Sequence, residues 1–275
     1  MTTIDHSYAE CLLKVEGVNL ALSGKPILRD VSLDVKDVRR PGLQQGQVVS
    51  LLGPSGMGKT RLFRILAGLD KPDSGSVLVG KELQPVTRGR VGVVFQHYPL
   101  FDHRTVLSNV IVAGRQVGKS KAQSEQEGRS LLKRFGLEGN EGKYPAQLSG
   151  GMRQRVAIAQ QFMCSDDLLL MDEPFSGLDP LAISQMIDFI QEVASQDELK
   201  TIVIVTHDIT AAIEVSDTIW MLGRDRDAQG QPVPGARIQH EYNLIDRGLA
   251  WQKGMTSSKE FMALLAEIRE AFPRL

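Results

Sequence analysis

A chain of 275 residues is long enough for one large domain or two small ones, and 32 Lys+Arg against 33 Asp+Glu lacks the basic excess of a dedicated nucleic-acid binder. No apolar run approaches the ~20 residues that span a bilayer, and the start MTTIDHSYAECLL lacks the basic stretch and apolar core of a secretory signal. Two distant cysteines, Cys11 and Cys164, in no metal spacing, read as ordinary buried, reduced thiols of a cytosolic protein.

Short β-like runs open the chain at Leu12–Val15, Val31–Val35 and Ser76–Val79, separated by turn residues such as Gly24-Lys25-Pro26 and Pro72-Asp73-Ser74-Gly75. They predict an antiparallel N-terminal layer. A second kind of run then follows: Val48–Leu52, Val91–Phe95, Leu168–Met171, Thr201–Val205 and Thr218–Leu222. These are continuously apolar, as strands buried on both faces are, and predict a mostly parallel sheet covered by helices.

Helical spacing lies between the strands. Leu62, Ile65 and Leu66 share one face over 59–67, and Asp179-Pro180 is an N-cap followed by proline at the first helical position. The strand alternation stops over 97–147, where helices are predicted at Thr105–Ala113 and Lys121–Phe135. Gly223–Gly235 is polar and rich in Gly and Pro, which predicts a loop. Phe261, Leu264, Leu265 and Ile268 mark a helix within 258–272, packed on the domain or offered to a partner.

Three motifs carry chemistry. Gly53-Pro54-Ser55-Gly56-Met57-Gly58-Lys59-Thr60 fits G-x-x-x-x-G-K-[ST], between an apolar strand and a helix. Its glycines let main-chain N–H groups converge on phosphate oxygens at a helix N-terminus. Lys59 adds a cation for the β- and γ-phosphates, and Thr60 a hydroxyl for Mg²⁺. Leu168–Met171 ends in Asp172-Glu173. Two adjacent acids at the end of a buried strand are costly unless cations face them. Asp172 is therefore the candidate Mg²⁺-side carboxylate, and Glu173 the candidate general base for an attacking water. Third, Leu148-Ser149-Gly150-Gly151-Met152 offers a second anion site, with Ser149 as helix cap and two glycines exposing N–H groups. One nucleotide does not easily fill both sites of one chain; a head-to-tail dimer sharing each ATP resolves this.

The stretch LSGGMRQRVAIA resembles the signature of ABC ATPases, and the motif order agrees. Gln96 in VVFQHYPLF looks like the Q-loop glutamine, Ser176-Gly177-Leu178-Asp179 like the D-loop, and His207 in IVIVTHD like the switch histidine. The resemblance covers roughly 12–222. It implies an α/β P-loop NTPase fold with an inserted α-helical subdomain: a core at 1–96 and 154–222, a helical part at 97–153, and a loop and helix at 223–275. It also implies that Gln96 meets Mg²⁺ or the lytic water, His207 the γ-phosphate, and Asp179 the dimer interface. Residues 97–112 would receive a coupling helix from a membrane permease. The implied partners are that permease, a second copy of the chain or a related ATPase, and a solute-binding protein where the system uses one. The implied location is peripheral, on the cytoplasmic side of the inner membrane.

The sequence departs from the family pattern in three places. Leu22 stands where an adenine-stacking aromatic is usual, which forgoes about 1 kcal/mol. Asp37–Gln45 is longer than the usual link. Gln160-Gln161 replaces Arg-Ala after the signature. KYPAQLSGGMRQRVAIA and VTHDI look most like importer ATPases of the nitrate/sulfonate/taurine or polar amino-acid groups. An exporter or lipid-transport ATPase is the main alternative; a soluble, non-transport ABC protein and a non-hydrolysing binding module are less favoured ones.

Overall fold

The computed structural model describes residues 6–39, 46–164, 168–195, 201–250 and 254–275. Most of the long link at 37–45 lies outside the described residues. The strands are β1 (Ser7–Leu22), β2 (Lys25–Arg39), β3 (Gln47–Leu52), β4 (Ser74–Val79), β5 (Gln84–Pro85), β6 (Gly92–Val94), β7 (Leu168–Asp172), β8 (Thr201–Thr206), β9 (Thr218–Arg226) and β10 (Pro232–Asn243). They form one sheet in the order β5-β4-β1-β2-β10-β9-β3-β8-β7-β6. At one end β5, β4, β1 and β2 pair antiparallel; at the other, β9, β3, β8, β7 and β6 run parallel. β3, β7 and β8 are buried along their whole length, which is why they read as unbroken apolar runs.

The predicted loop at 223–235 is not one. Most of it belongs to a β9–β10 hairpin, and β10 joins the two halves of the sheet, antiparallel to β9 and parallel to β2 at Ala236–Leu28. Its polar residues misled the pattern because they are paired rather than solvated. Asp225 accepts hydrogen bonds from Arg29, from Arg237 Nε at 3.1 Å and from Gln239 Nε2 at 2.9 Å. The true turn is short, Asp227 N donating to Gln231 O at 2.9 Å.

The helices are α1 (Lys59–Leu66), α2 (Val106–Gln116), α3 (Lys121–Arg134), α4 (Gly150–Phe162), α5 (Pro180–Ser195), α6 (Ile209–Val215) and α7 (Lys259–Ala271). Caps start them where the sequence supplies oxygens: Thr105, Ser120, Ser149, Asp208 and Ser258 each accept from the N–H three residues on. Between β6 and β7, α2, α3 and α4 close over Phe135, which meets Phe162 and Phe189 edge-on at 5.3 and 5.0 Å between centroids. α7 buries Phe261, Leu264, Leu265 and Ile268 against the domain, the first of its two expected dispositions. Cys11 and Cys164 are free thiols, half-buried rather than fully buried. No helix among the described residues is long and apolar enough to cross a membrane.

Candidate active site

The site lies at the carboxyl ends of β3, β7 and β8. A cleft of ≈ 490 Å³ is lined by residues that include Ser55, Lys59, Thr60, Gln96, Glu173 and His207. Its floor is the turn from β3 into α1. A Cβ on Gly53 would sit 2.6 Å from the Leu222 carbonyl of β9, so the turn can pass only as glycine. Gly58 caps α1 at a φ of 92°, the left-handed region that glycine adopts without penalty. Leu222 is itself backed: the neighbouring Gly223 has room for no Cβ because Leu275 lies 2.7 Å from where one would be.

Lys59 folds back over this turn. Its Nζ donates to Gly53 O at 2.7 Å and Pro54 O at 3.1 Å, and Glu173 Oε1 stands 3.7 Å away. Burial pulls the ammonium below the ordinary lysine pKa, against the pull of Glu173 and Asp172. Such a cation is held by carbonyl dipoles that phosphate oxygens can replace. Met57 packs against the apolar core beside α1.

The two acids behave differently. Asp172 is 9% exposed, and its Oδ1 finds no hydrogen-bond partner among the described residues. Burial first, then Glu173, raises its pKa, and Lys59 only partly offsets them. A buried carboxylate oxygen with no donor, next in the chain to a second acid that lines the same cleft as Thr60, suits a hydrated divalent cation. Glu173 leaves the strand at a φ of 49°, unusual for a residue with a side chain. Its N–H donates to Val205 O at 2.8 Å, and its Oε2 accepts from His207 N at 3.3 Å and pairs with His207 Nδ1 at 2.9 Å. The left-handed turn thus points the carboxylate into the cleft, between Lys59 and His207. Gln96 enters from the end of β6 and donates to Ser176 Oγ at 3.0 Å.

The remaining predicted residues are not in this cleft. Ser149 caps α4, its Oγ accepting from Met152 N at 3.3 Å. Gly150 and Gly151 are open, an added Cβ meeting nothing within 4 Å. None of Leu148–Met152 lines the cleft. Asp179 caps α5 through Ala182 N at 3.0 Å and is likewise outside it.

Residues 39–176 match the family described as ABC transporter. Over 206 residues, 72% of this chain, the identity to the sulfate/thiosulfate import ATP-binding protein CysA of Gloeobacter violaceus is 45%. The chain belongs to the ABC transporter family. It spans 58% of the length of that CysA. It is 36% identical over 78% of its length to the L-cystine transport system ATP-binding protein TcyN of Escherichia coli, covering 87% of that protein. Among solved structures it is similar to cbiO1 from Clostridium perfringens, described as part of the ABC transporter complex cbiONQ. The TM-score is 0.72 and the identity 26%, covering 97% of this chain and 96% of that one. The ATP-binding cassette MJ0796, solved as a dimer in a post-hydrolysis state with ADP and Pi, gives a TM-score of 0.64 and 26% identity, over 85% of this chain and 99% of that one.

Several residues of this ABC chain's site escaped sequence reading. Ile27, brought to the rim beside Leu22 by the β1–β2 hairpin, carries no motif. Tyr98 and Gln154 lie inside quoted motifs yet had no assigned task. Gln154 Nε2 donates to Tyr98 OH at 2.5 Å and to Pro174 O at 3.1 Å, and the Tyr98 hydroxyl donates to Pro174 O at 3.1 Å. The unusual pair Gln160-Gln161 is also employed: Gln160 donates to Asn109 O at 3.1 Å, joining α4 to α2, and Gln161 accepts from Val93 N at 3.0 Å on β6.

Proposed function

We propose that this chain is the ATP-hydrolysing subunit of an ABC importer, working as a head-to-tail dimer on a separate permease. The observation that carries the reading is the placement of Glu173, aimed into the cleft between Lys59 and His207. An anion-binding helix start at Ser149–Gly151 that does not line that cleft supports the dimer: it is free to meet the nucleotide of a second copy. The import direction rests on relatives described as import ATP-binding proteins.

In this reading the N–H groups of the Gly53–Thr60 loop, all but Pro54 having one, and the Lys59 ammonium hold the ATP phosphates, the ammonium exchanging the carbonyls of Gly53 and Pro54 for phosphate oxygens. Thr60, Asp172 and Gln96 would hold Mg²⁺, which supplies charge neutralisation at the β- and γ-phosphates. Glu173 takes a proton from a water as its oxygen bonds to the γ-phosphorus, and the bond from that phosphorus to the ADP oxygen breaks. His207 holds Glu173 in place and faces the γ-phosphate. Ser149, Gly150 and Gly151, flanked by Leu148 and Met152, close the site from the partner copy, and Asp179 lies at that interface.

In this reading residues 1–96 and 154–222 form the ATP-binding core, 97–153 the helical part, and 223–275 the segment that completes the core's sheet with β10 and adds α7. The assembly sits peripherally on the cytoplasmic side of the inner membrane, with a solute-binding protein in the same system. Phosphate release measured against protein concentration, wild type beside Glu173→Gln, tests the proposal. A rate that climbs faster than linearly and vanishes in the variant is expected. Equal rates in the two proteins remove Glu173 from its role.

A further inference from the structure

Three separate elements meet at one buried carbonyl. Pro174 O follows Glu173 directly in the chain and accepts from Tyr98 OH and from Gln154 Nε2, both at 3.1 Å. Gln154 Nε2 also donates to Tyr98 OH at 2.5 Å, which closes a triangle of hydrogen bonds. Tyr98 belongs to the segment that carries Gln96, two residues earlier. Gln154 sits on α4, little more than one turn from its cap Ser149, and is 1% exposed. The triangle therefore links the Gln96 segment, the helix that begins with the Ser149 cap, and the main chain next to Glu173.

Two of these three elements have unusual backbones at the junction. Tyr98 has a φ of 44° and Glu173 a φ of 49°, both left-handed and neither glycine. Such conformations persist only when surrounding contacts over-determine them. For Glu173 the described contacts are the N–H to Val205 O, the carbonyl accepting from Ser176 N at 3.2 Å, and the side chain between Lys59 and His207; the carbonyl of the next residue is held by the triangle. Every polar atom in the triangle has a partner, and a buried network of that kind stays rigid until one member is removed.

We infer that Tyr98 and Gln154 are positioning residues, which tie the placement of Glu173 to the position of the helix that starts at Ser149. This rests on the reading of Glu173 as the base and of Ser149–Gly151 as the contact to the partner's nucleotide. When α4 is drawn to that nucleotide, Gln154 carries the motion to Pro174 and hence to the turn at Glu173. Neither residue touches ATP. The chemistry becomes conditional on engagement of the second copy, although the base and its own phosphate-binding loop share one chain.

The test uses the full chain with Tyr98→Phe, which keeps the ring and removes only the hydroxyl, Gln154→Met, and the double variant. Glu173→Gln is run alongside. Phosphate release at saturating Mg·ATP gives kcat, and mant-ATP titration gives affinity. Each single variant is expected to lose at least tenfold in kcat with affinity within twofold of wild type. The double variant should fall no more than about threefold below the worse single one, since one unit is being broken. A packing role alone would lower the melting temperature and leave kcat intact. Wild-type kcat in Tyr98→Phe while Glu173→Gln is inactive overturns the inference and spares the assignment of Glu173. Losses that multiply in the double variant, or that match an equal loss of affinity, also overturn it. Turnover by Glu173→Gln equal to wild type removes the base and the inference together. If Gln154→Met does not fold, Tyr98→Phe alone decides.

Discussion

Leu22 offers a direct measurement of what an aromatic at the cleft rim is worth. It ends β1, is 38% exposed and lines the cleft beside Ile27, so a larger side chain has room to lie along a bound base. An aromatic side chain buries about 150–250 Å² when fully enclosed, and one face stacked on adenine adds about 40 Å². At about 25 cal/mol per Å² this comes to about 1 kcal/mol, close to the gain seen for aromatic pairs. Leu22→Tyr should therefore tighten ATP binding about fivefold. The strand position tolerates tyrosine, since aromatics favour strands. Mant-free ATP is titrated against intrinsic fluorescence, with inorganic tripolyphosphate, which has no base, as the control. The reasoning fails if affinity for tripolyphosphate rises as much as that for ATP, because the gain would then not come from the base. It fails equally if neither changes, because Leu22 would not face the adenine.

Two further outcomes are expected. Asp172 has a raised pKa in the folded chain, so the fold binds a proton more tightly than the unfolded chain does. Stability then falls as pH rises from the ordinary aspartate value through the raised one, and the cost is fully present above both. Asp172→Asn should therefore melt higher than wild type at neutral pH without nucleotide, lose that advantage in acid, and release no phosphate; a lower melting temperature at neutral pH would show that the carboxylate is not under strain. Ser149→Arg should bind mant-ATP as wild type does and lose phosphate release at least tenfold, while normal turnover would refute a site shared between two copies.

How much of this was readable in advance depends on where the information lay. The strands beneath the cleft are buried on both faces, so Val48–Leu52, Leu168–Met171 and Thr201–Val205 could be recognised from apolarity alone. Two helix starts were visible because they carry their own oxygen, Ser149 for α4 and Asp179, with Pro180 behind it, for α5, whereas α1 begins at Gly58 without one and was found by its motif. The site residues Lys59, Thr60, Gln96, Glu173 and His207 were found by motif and do converge on one cleft. β10 was missed for a definite reason. Its neighbour Asp225 is satisfied by Arg29, far off in sequence, and by Arg237 and Gln239, and no local pattern reports a distant ion pair. The triangle at Pro174 was hidden in the same way. Its acceptor is a main-chain carbonyl, which leaves no mark in an amino-acid sequence, and its donors are ordinary residues within longer motifs.

Gly53 lies against Leu222, and Gly223 lies against Leu275. The floor of the nucleotide cleft is therefore wedged in series by Gly53, by Leu222 and Gly223, and by Leu275. These are contacts of very long sequence separation, and they form late in folding because large loops must close before they pay anything back. A nascent chain carries its phosphate-binding loop early in synthesis, with the Lys59 bonds and the Ile27–Leu28 contact at Gly58, but the packing at Gly53 waits for β9 and then for the segment around Leu275. The phosphate-binding loop, complete as a motif at Thr60, therefore takes part of its shape from residues made long after it.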